Sequence, residues 1–157
     1  MNKTIVPSPL EGAEKERLRL WLRLLKTTRS IEATLRENFR EEFQTTLPRF
    51  DVLAALSRFE EGLKMSEISG ALKVSNGNVT GIVDRLEEDG FLVRVAVPGD
   101  RRVQRVHLTQ CGNEEFARQA KAHAGWISDA LKDFSAAEAR EVLGRFSESE
   151  LDAEEIE

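Results

Sequence analysis

Apolar and polar side chains alternate along residues 91–109, and this alternation predicts two short β-strands. The stretch reads FLVRVAVPGDRRVQRVHLT. Its central Pro-Gly pair is a strong turn signal, so segments 91–97 and 103–109 are expected to pair as a hairpin. We therefore predict a hairpin whose tip is basic. The tip residues are Asp100, Arg101 and Arg102.

The segment just before the hairpin has apolar residues at helical spacing and predicts two helices joined by a tight turn. Ser66 and Ser75 are suitable N-cap residues for these helices, and Gly90 ends the second. Only Lys73 and Val74 lie between them. A helix-turn-helix followed at once by a basic hairpin is the layout of a winged-helix DNA-binding module. The apolar side chains expected to hold its helices together are Ile68, Leu72, Val79, Ile82, Val83 and Leu86.

A long helix is expected before this module, because no Gly or Pro interrupts residues 13–43. Such a helix would be about 45 Å long, which is more than one small domain requires. Its broad apolar stripe predicts packing on a second chain. A shorter helix is expected from Pro48, with Thr46 or Leu47 near its start. The stripe of the long helix comprises Leu18, Trp21, Leu22, Leu25, Ile31, Leu35, Phe39 and Phe43.

Two further helices are expected after the hairpin. Thr109 can cap the first, which would run to Phe134. Ser135 and Glu138 match a capping box that would start the second. The apolar face predicted for the first of these helices comprises Phe116, Ala120, Ala124, Ile127, Leu131 and Phe134.

These elements together predict a mainly α-helical fold with a small β-hairpin wing. Residues 47–109 are expected to form a winged helix-turn-helix DNA-binding domain. Residues 13–46 and 110–148 are expected to form long N- and C-terminal dimerisation helices. Residues 1–12 are expected to be a flexible arm, and residues 149–157 an acidic tail.

The second helix of the helix-turn-helix carries short hydrogen-bonding side chains near its N-terminus, where the backbone dipole favours phosphate. Asn can pair with adenine in the major groove, and Thr can touch the thymine methyl group. A glycine on the outer face allows the helix backbone to approach another surface closely. The residues of this helix predicted to contact DNA are Ser75, Asn76, Gly77, Asn78, Thr80 and Arg85.

Arginines of the hairpin complete the predicted DNA-contacting surface. Arg101 or Arg102 at the tip can enter a minor groove, attracted by its negative potential. Asp100 repels phosphate, and its presence makes sense if it pairs with a neighbouring arginine and fixes that arginine's direction. Arg94 and Arg105 are predicted to contact DNA as well.

The distribution of charge favours a basic hairpin although the net charge is -5. Residues 94–105 hold four arginines against one acid, whereas residues 138–157 hold eight acids against two arginines. The single cysteine excludes an intrachain disulfide and fits a reducing cytoplasm. No apolar run reaches membrane-spanning length and the N-terminus lacks a signal-peptide core, so a cytoplasmic protein with no membrane contact is expected.

The motif residues around the wing resemble the pattern of the MarR family of transcriptional regulators. The resemblance extends over about residues 15–146. It implies a homodimer with interleaved terminal helices and a palindromic double-stranded DNA operator. It also implies that a small ligand relieves repression by binding between the dimer helices and the DNA-reading lobe, and that Asp100 braces a wing arginine in the minor groove. The motif residues are Leu86, Gly90, Phe91, Leu92, Arg94, Asp100, Arg101, Arg102, Leu108 and Thr109.

The effector is expected to be a small organic anion, such as an aromatic acid or its coenzyme A thioester. Basic residues make the first helix locally positive, and aromatic side chains supply walls for a ring. Two simpler interpretations stay open, namely that the arginines only solvate the helix and that Trp21 fills a dimer core. The residues predicted to bind the effector are Trp21, Arg29, Phe39, Phe43 and Phe50.

Other functions have less support from the sequence. Cys111 follows a helix start, which can activate a thiol, but the chain has no tyrosine of the kind used by the peroxide-sensing branch of the family it resembles. His107 with Cys111 and Glu114 or Glu115 matches no metal-ligand spacing. No nucleophile–base pair appears, so neither enzymatic activity nor a cofactor is expected. A winged helix that binds only proteins stays open as an alternative, although it would be expected to lack a basic wing.

Overall fold

The computed structural model describes residues 11–72 and 76–146 of the chain, with residues 76 and 77 described by their backbone alone. Ser75 and the Lys73–Val74 connection lie outside the described residues, as do most of the predicted arm and the acidic tail. The fold is mostly helical with one two-stranded antiparallel hairpin, which confirms the predicted fold class. The elements are α1 (Gly12–Phe43), α2 (Leu47–Leu56), α3 (Met65–Leu72), α4 (Asn76–Glu88), β1 (Leu92–Val97), β2 (Asp100–Leu108), α5 (Gln110–Ala130) and α6 (Ala136–Arg145).

The chain divides into two compact units between Thr34 and Leu35, so the first unit contains only the N-terminal part of α1 among its described residues. Large apolar side chains of this unit are exposed to solvent, each by 42–56%. An isolated helix gains little stability from propensity alone, and most helices depend on packing of an apolar face. The exposed apolar side chains of this unit are Leu18, Leu20, Trp21 and Leu22.

The second unit has a hydrophobic core in which α2, α3 and α4 pack against the hairpin. Four of the six apolar residues predicted to hold the helix-turn-helix together are buried, and Leu72 and Ile82 are half-buried against the same core. The apolar periodicity of this segment therefore identified its interior correctly. The buried core residues are Val52, Leu53, Leu56, Leu63, Ile68, Val79, Val83, Leu86, Leu92 and Val106.

The hairpin pairs in regular antiparallel register from Leu92 opposite Leu108 to Ala96 opposite Gln104. The register then shifts, and Val97 lies opposite Asp100. The second strand therefore starts three residues earlier than the predicted boundary at 103. Leu63 adds a short bridge to the hairpin, exchanging two backbone hydrogen bonds of 3.0 and 2.8 Å with Val106.

Three of the helix caps predicted from the sequence are present in the structure, and one is not. Thr46 and Thr109 cap α2 and α5, and Ser135 forms the predicted capping box at the start of α6. The prediction for Ser66 was wrong, because α3 already begins at Met65. The backbone N–H of Lys64 instead donates to the Glu67 carboxylate over 2.7 Å, so an acid three residues later satisfies the helix start.

The buried side of α5 differs from the face predicted for it. Phe116 packs against the core as expected, but Ala124, Leu131 and Phe134 are exposed. The helix also ends at Ala130 rather than at Phe134. The residues that face the interior follow a different stripe, at spacings of three and four. They are Gly112, Phe116, Gln119, His123 and Trp126.

The start of α5 approaches the hairpin too closely for any side chain. A Cβ atom on Gly112 would lie 2.0 Å from the backbone oxygen of Phe91. The neighbouring backbone is fixed by two hydrogen bonds, because the Thr109 N–H donates to the Phe91 oxygen over 3.0 Å and the Thr109 hydroxyl donates to the Gly90 oxygen over 2.7 Å. Contact of this kind fixes α5 to the base of the hairpin.

Candidate nucleic-acid interface

The outward side of α4 carries exposed polar residues opposite its buried apolar side. Asn78, Thr80 and Arg85 are exposed, whereas Val79 and Val83 are fully buried. This alternation follows from the helical period, which places residues three or four apart on one face. Asn76 and Gly77 form the first turn of the helix, so their backbone N–H groups lie at its N-terminus. The predicted contact residue Ser75 lies outside the described residues.

The outer surface of α4 also has room for close approach. A Cβ atom added to Gly81 would meet no atom within 4 Å outside the helix's own backbone. The small residue therefore leaves open space beside Asn78 and Arg85 rather than accommodating another part of the described chain. An exposed helix face with short polar side chains near a helix N-terminus is a suitable surface for the negatively charged backbone of a nucleic acid.

The tip of the hairpin holds one arginine in a defined direction while leaving it in solvent. The Asp100 carboxylate accepts a hydrogen bond of 3.0 Å from the backbone N–H of Arg102. The same carboxylate oxygen lies 3.8 Å from the Arg102 Nε atom. The Arg102 side chain is nevertheless 96% exposed, and Arg101 beside it is exposed too. Asp100 is therefore hydrogen-bonded to the backbone of the tip, while the Arg101 and Arg102 side chains stay exposed.

At the base of the hairpin, Arg94 joins β1 to α4. Its guanidinium donates to Asp84 over 2.5 Å and also to the Glu87 carboxylate. Its backbone N–H donates to Glu87 as well, over 3.3 Å. The side chain is only 20% exposed, and the hydrogen bond with Asp84 raises the pKa of Arg94 above its ordinary value. Arg94 thus fixes the angle between the helix and the wing.

Arg105 has a similar role on the second strand. Its guanidinium donates to the backbone oxygen of Gly62 over 2.7 Å and lies 3.9 Å from the Glu67 carboxylate. Its side chain is 31% exposed. The four hairpin arginines grouped by the sequence analysis therefore fall into two sets: Arg101 and Arg102 at the tip face solvent, and Arg94 and Arg105 at the base contact the protein itself.

One ion pair that supports the interface was not predicted. Arg49 of α2 pairs with Asp89, which directly follows α4. The pair joins the start of α2 to the end of the helix that carries Asn78 and Arg85. An opposite charge forty residues away gives no signal in a single sequence, because only the tertiary fold brings the two residues together.

The residues predicted to bind an effector lie in different surroundings. Trp21 and Arg29 belong to the first unit, where both are exposed. Phe39 and Phe50 belong to the second unit and are buried against one another, with ring centroids 4.8 Å apart. Phe43 is half-buried at the end of α1. These three phenylalanines pack in an aromatic cluster instead of forming an exposed aromatic surface.

His123 of α5 is part of that aromatic cluster. Its ring stacks on Phe50 at 4.8 Å and on Phe39 at 6.1 Å. Trp126 completes the cluster with its ring perpendicular to that of Phe39, 4.9 Å between centroids. Burial lowers the pKa of His123 below its ordinary value of 6.5, because a charged imidazole loses hydration among these rings.

Two features of the described residues bear on the alternatives. No group of three or more His, Cys, Asp or Glu side chains in the described part of the chain could hold a metal ion. Within the same part, no helix is long and apolar enough to cross a membrane. Cys111 is exposed in the first turn of α5.

Residues 45–103 match the sequence profile of the MarR family. Two characterised relatives extend the match. The transcriptional regulator PecS of Dickeya dadantii is 34% identical over 109 residues, covering 66% of each protein. The transcriptional activatory protein BadR of Rhodopseudomonas palustris is 33% identical over 121 residues, covering 74% of this chain and 68% of that protein. The matched part of the chain thus spans about two thirds of these relatives.

Solved structures agree with these sequence matches. A MarR family transcriptional regulator from Silicibacter pomeroyi is 31% identical and superimposes with a TM-score of 0.70, covering 87% of this chain and 94% of that one. Sco3205 of Streptomyces coelicolor, a MarR family regulator crystallised with DNA, is 24% identical with a TM-score of 0.75, covering 97% and 94%, and shows the shared fold. Together with the winged helix described above, these matches show that the chain belongs to the MarR family of DNA-binding transcriptional regulators.

Proposed function

We propose that this regulator binds a pseudo-palindromic DNA operator as a homodimer and represses transcription from it. In this proposal α4 enters the major groove and the wing tip enters the adjacent minor groove. The relatives are transcriptional regulators and not enzymes, so the site is one of binding alone. The assignment of individual residues to DNA rests on the exposure and charge of the described side chains.

The observation that carries the proposal is the wing tip. An arginine that serves only to keep a surface turn soluble needs no acidic partner to fix its orientation. Arg102 is 96% exposed, yet the Asp100 carboxylate contacts both its backbone N–H and its guanidinium. Restricting an arginine before it binds reduces the conformational entropy lost on binding. The negative potential of a narrow minor groove is the surface that such an arginine suits best.

The DNA contacts proposed on α4 come from its exposed side. Base edges or phosphates are contacted by Asn78, Thr80 and Arg85. The helix start is assigned to the sugar-phosphate backbone of the DNA, through Ser75, Asn76 and Gly77. Arg94 and Arg105 act indirectly in this proposal, by fixing the position of the wing. The domain boundaries are also part of the proposal. The DNA-binding domain is assigned residues 47–109, and the dimerisation helices are assigned residues 13–46 and 110–148. The arm is residues 1–12, and the tail is residues 149–157.

The homodimer is supported by exposed apolar surface in each unit. The first unit exposes Trp21 and three leucines, and the second exposes large apolar residues near its C-terminal end. Monomeric proteins seldom expose so many large apolar side chains close together. Sedimentation at micromolar concentration should give a dimer, and a stable folded monomer would contradict the proposal. The exposed residues of the second unit are Leu131, Phe134, Val142, Leu143 and Phe146.

The operator proposal is tested by footprinting on the DNA upstream of the chain's own gene. A two-fold dimer should protect two half-sites about one helical turn apart, roughly 10 bp from centre to centre. A mobility shift in the presence of heparin separates this specific complex from charge-driven association. Protection of a single half-site without symmetry, or loss of every complex in heparin, would contradict the proposal.

We further propose that a small organic anion, such as an aromatic acid or its coenzyme A thioester, releases the regulator from DNA. Trp21 and Arg29 are exposed in the first unit and are available for an anion with a ring. Phe39, Phe43 and Phe50 would act through the aromatic cluster. A ligand that favours the DNA-incompetent state shifts the population toward it, and operator DNA must then weaken ligand binding by the same factor. Calorimetric titration with and without saturating operator tests this, and equal affinity in both would contradict it.

A further inference from the structure

Gly81 lies at the outermost point of α4, opposite the side that packs into the core. Val79 and Val83 are fully buried, whereas Gly81 is exposed. Because an α-helix turns about 100° per residue, Gly81 lies roughly 160° around the helix from each of these two valines. Glycine has no side chain, so a partner bound to the outward side of α4 can come closest to the helix axis at this position.

Packing within the described chain does not require a glycine at position 81. A Cβ atom there would meet no atom within 4 Å outside the helix's own backbone, and Gly81 is not among the glycines with a positive φ. Gly112 of α5 is different, because a Cβ atom there would lie 2.0 Å from the Phe91 oxygen. Glycine also destabilises a helix interior relative to alanine. These facts direct attention to what binds the outward side of α4.

The surface that Gly81 offers to a partner is apolar. It is the sixth residue of α4, and only the first four N–H groups of a helix lack a partner within the helix. Gly81 therefore presents the hydrogens of its Cα atom and no free hydrogen-bond donor. Asn78 and Arg85, three residues before and four residues after, lie on the same face and are exposed. An apolar contact point thus lies between two side chains that can bind base edges or phosphates.

We propose that Gly81 is a specificity-determining residue whose Cα atom contacts the 5-methyl group of a thymine in each half-site of the operator. The thymine methyl is the apolar group that base edges present in the major groove. The contacts of Asn78 and Arg85 with DNA set the depth of the helix, so a side chain at position 81 would occupy the space of the methyl group. This inference rests on the proposed function, because it requires α4 in the major groove, and it adds the identity of one base in each half-site.

Replacement of thymidine by deoxyuridine in the footprinted operator tests the proposal, because it removes the methyl group and keeps the base pair. Each thymine is replaced in turn, in both half-sites together, and binding is measured by fluorescence anisotropy. At the position that faces Gly81, the native chain should bind about fourfold more weakly for each half-site. Gly81→Ala should bind the thymine operator at least about tenfold more weakly than the native chain. Deoxyuridine at that same position should restore most of the affinity of Gly81→Ala, since the alanine methyl then takes the place of the thymine methyl.

Gly125→Ala is the matched control. It makes the same change at an exposed glycine in the interior of α5, where a Cβ atom also meets nothing within 4 Å, and it should bind every operator as the native chain does. Both variants should unfold at temperatures no lower than the native chain, because alanine stabilises a helix interior. Tight binding of the thymine operator by Gly81→Ala, or weak binding by this variant that no deoxyuridine position restores, would overturn the proposal. Failure of the native chain to bind any operator would instead contradict the proposed function.

Discussion

The tip and the base of the wing both carry arginines, but these arginines make different contacts. At the tip, the Arg102 side chain is 96% exposed and lies 3.8 Å from the Asp100 carboxylate. At the base, Arg94 is 20% exposed and is bonded to two acids of α4. Arg105 is likewise bonded to Gly62 and lies near Glu67. The residue type is the same at both ends, and the number of acids nearby differs, with Asp84, Glu87 and Glu67 at the base and Asp100 at the tip.

The difference separates arginines that are exposed to solvent from arginines whose charge is already paired within the protein. A guanidinium already paired with two carboxylates has little charge left to offer a phosphate. It can still matter for DNA binding, because it fixes where the exposed arginines point.

Substitution at the contact between α5 and the base should have the largest effect. Gly112→Ala places a Cβ atom 2.0 Å from the Phe91 oxygen, and the backbone must move to relieve that contact. We expect a loss of at least about 3 kcal/mol in the free energy of unfolding, measured with denaturant. Gly125→Ala on the same helix, where a Cβ atom meets nothing within 4 Å, should instead add about 0.5–1 kcal/mol. Similar stability of the two variants would mean that the base is not rigidly held.

Alanine substitutions at Arg102 and Arg94 test the roles of the tip and the base of the wing one at a time. Arg102→Ala should weaken operator binding by about 1–3 kcal/mol and leave thermal unfolding unchanged. Arg94→Ala should lower the free energy of unfolding by about 1–3 kcal/mol, because it leaves the acids Asp84 and Glu87 of α4 without their partner. Fluorescence anisotropy with labelled operator and a denaturant titration measure the two effects. Unchanged stability in Arg94→Ala would contradict its assignment to the base.

Removing the acid at the tip should give a smaller effect whose sign is informative. Asp100→Ala should weaken operator binding by about 1 kcal/mol, because the tip loses the carboxylate that directs Arg102. Asp133→Ala removes an exposed acid from the turn after α5 and serves as the control. Simple charge counting predicts tighter binding for both variants. If Asp100→Ala binds DNA more tightly than the native chain at every salt concentration, the acid does not brace the arginine.

Acidification should act on the aromatic cluster. The pKa of His123 is lowered in the folded chain, so the unfolded chain binds a proton more readily. Stability is therefore complete above the ordinary pKa of 6.5 and falls as the pH drops toward the folded pKa. The melting temperature should decrease modestly between about pH 7.5 and about pH 5.5. His123→Phe keeps an aromatic ring without a titrating group, and an identical decrease in that variant would assign the effect to other residues.

Local patterns were enough to predict the hairpin, the core of the helix-turn-helix and three helix caps. Strand alternation, helical spacing and capping preferences depend on neighbours within a few residues, so a single sequence contains them. The prediction for Ser66 was wrong because Glu67 satisfies the backbone N–H of Lys64, two residues before Ser66. The short sequence around the start of α3 is compatible both with a cap by Ser66 and with a cap by the Glu67 carboxylate.

The division among the arginines could not be predicted in the same way. Pairing of Arg94 with Asp84 and Glu87 depends on the angle at which β1 leaves α4, and that angle is set by packing. The buried glutamine of α5 did leave a signal in the sequence that was not recognised. Gln119 is a polar residue on the buried stripe of α5, between Phe116 and His123. A polar side chain at a buried position of a helix indicates either an internal hydrogen bond or a ligand.

The central claim is that the tip of the wing lies in the minor groove of the operator. A DNA-cleaving reagent attached at Gln104→Cys, with Cys111→Ser removing the only natural cysteine, tests it with both tip arginines intact. Gln104 is exposed on β2, two residues beyond Arg102, or about 7 Å along the strand. The account predicts minor-groove cleavage at two positions symmetric about the operator centre, and none from a reagent on exposed Lys121→Cys of α5. Absence of cleavage from position 104 in a complex that still binds operator would contradict it.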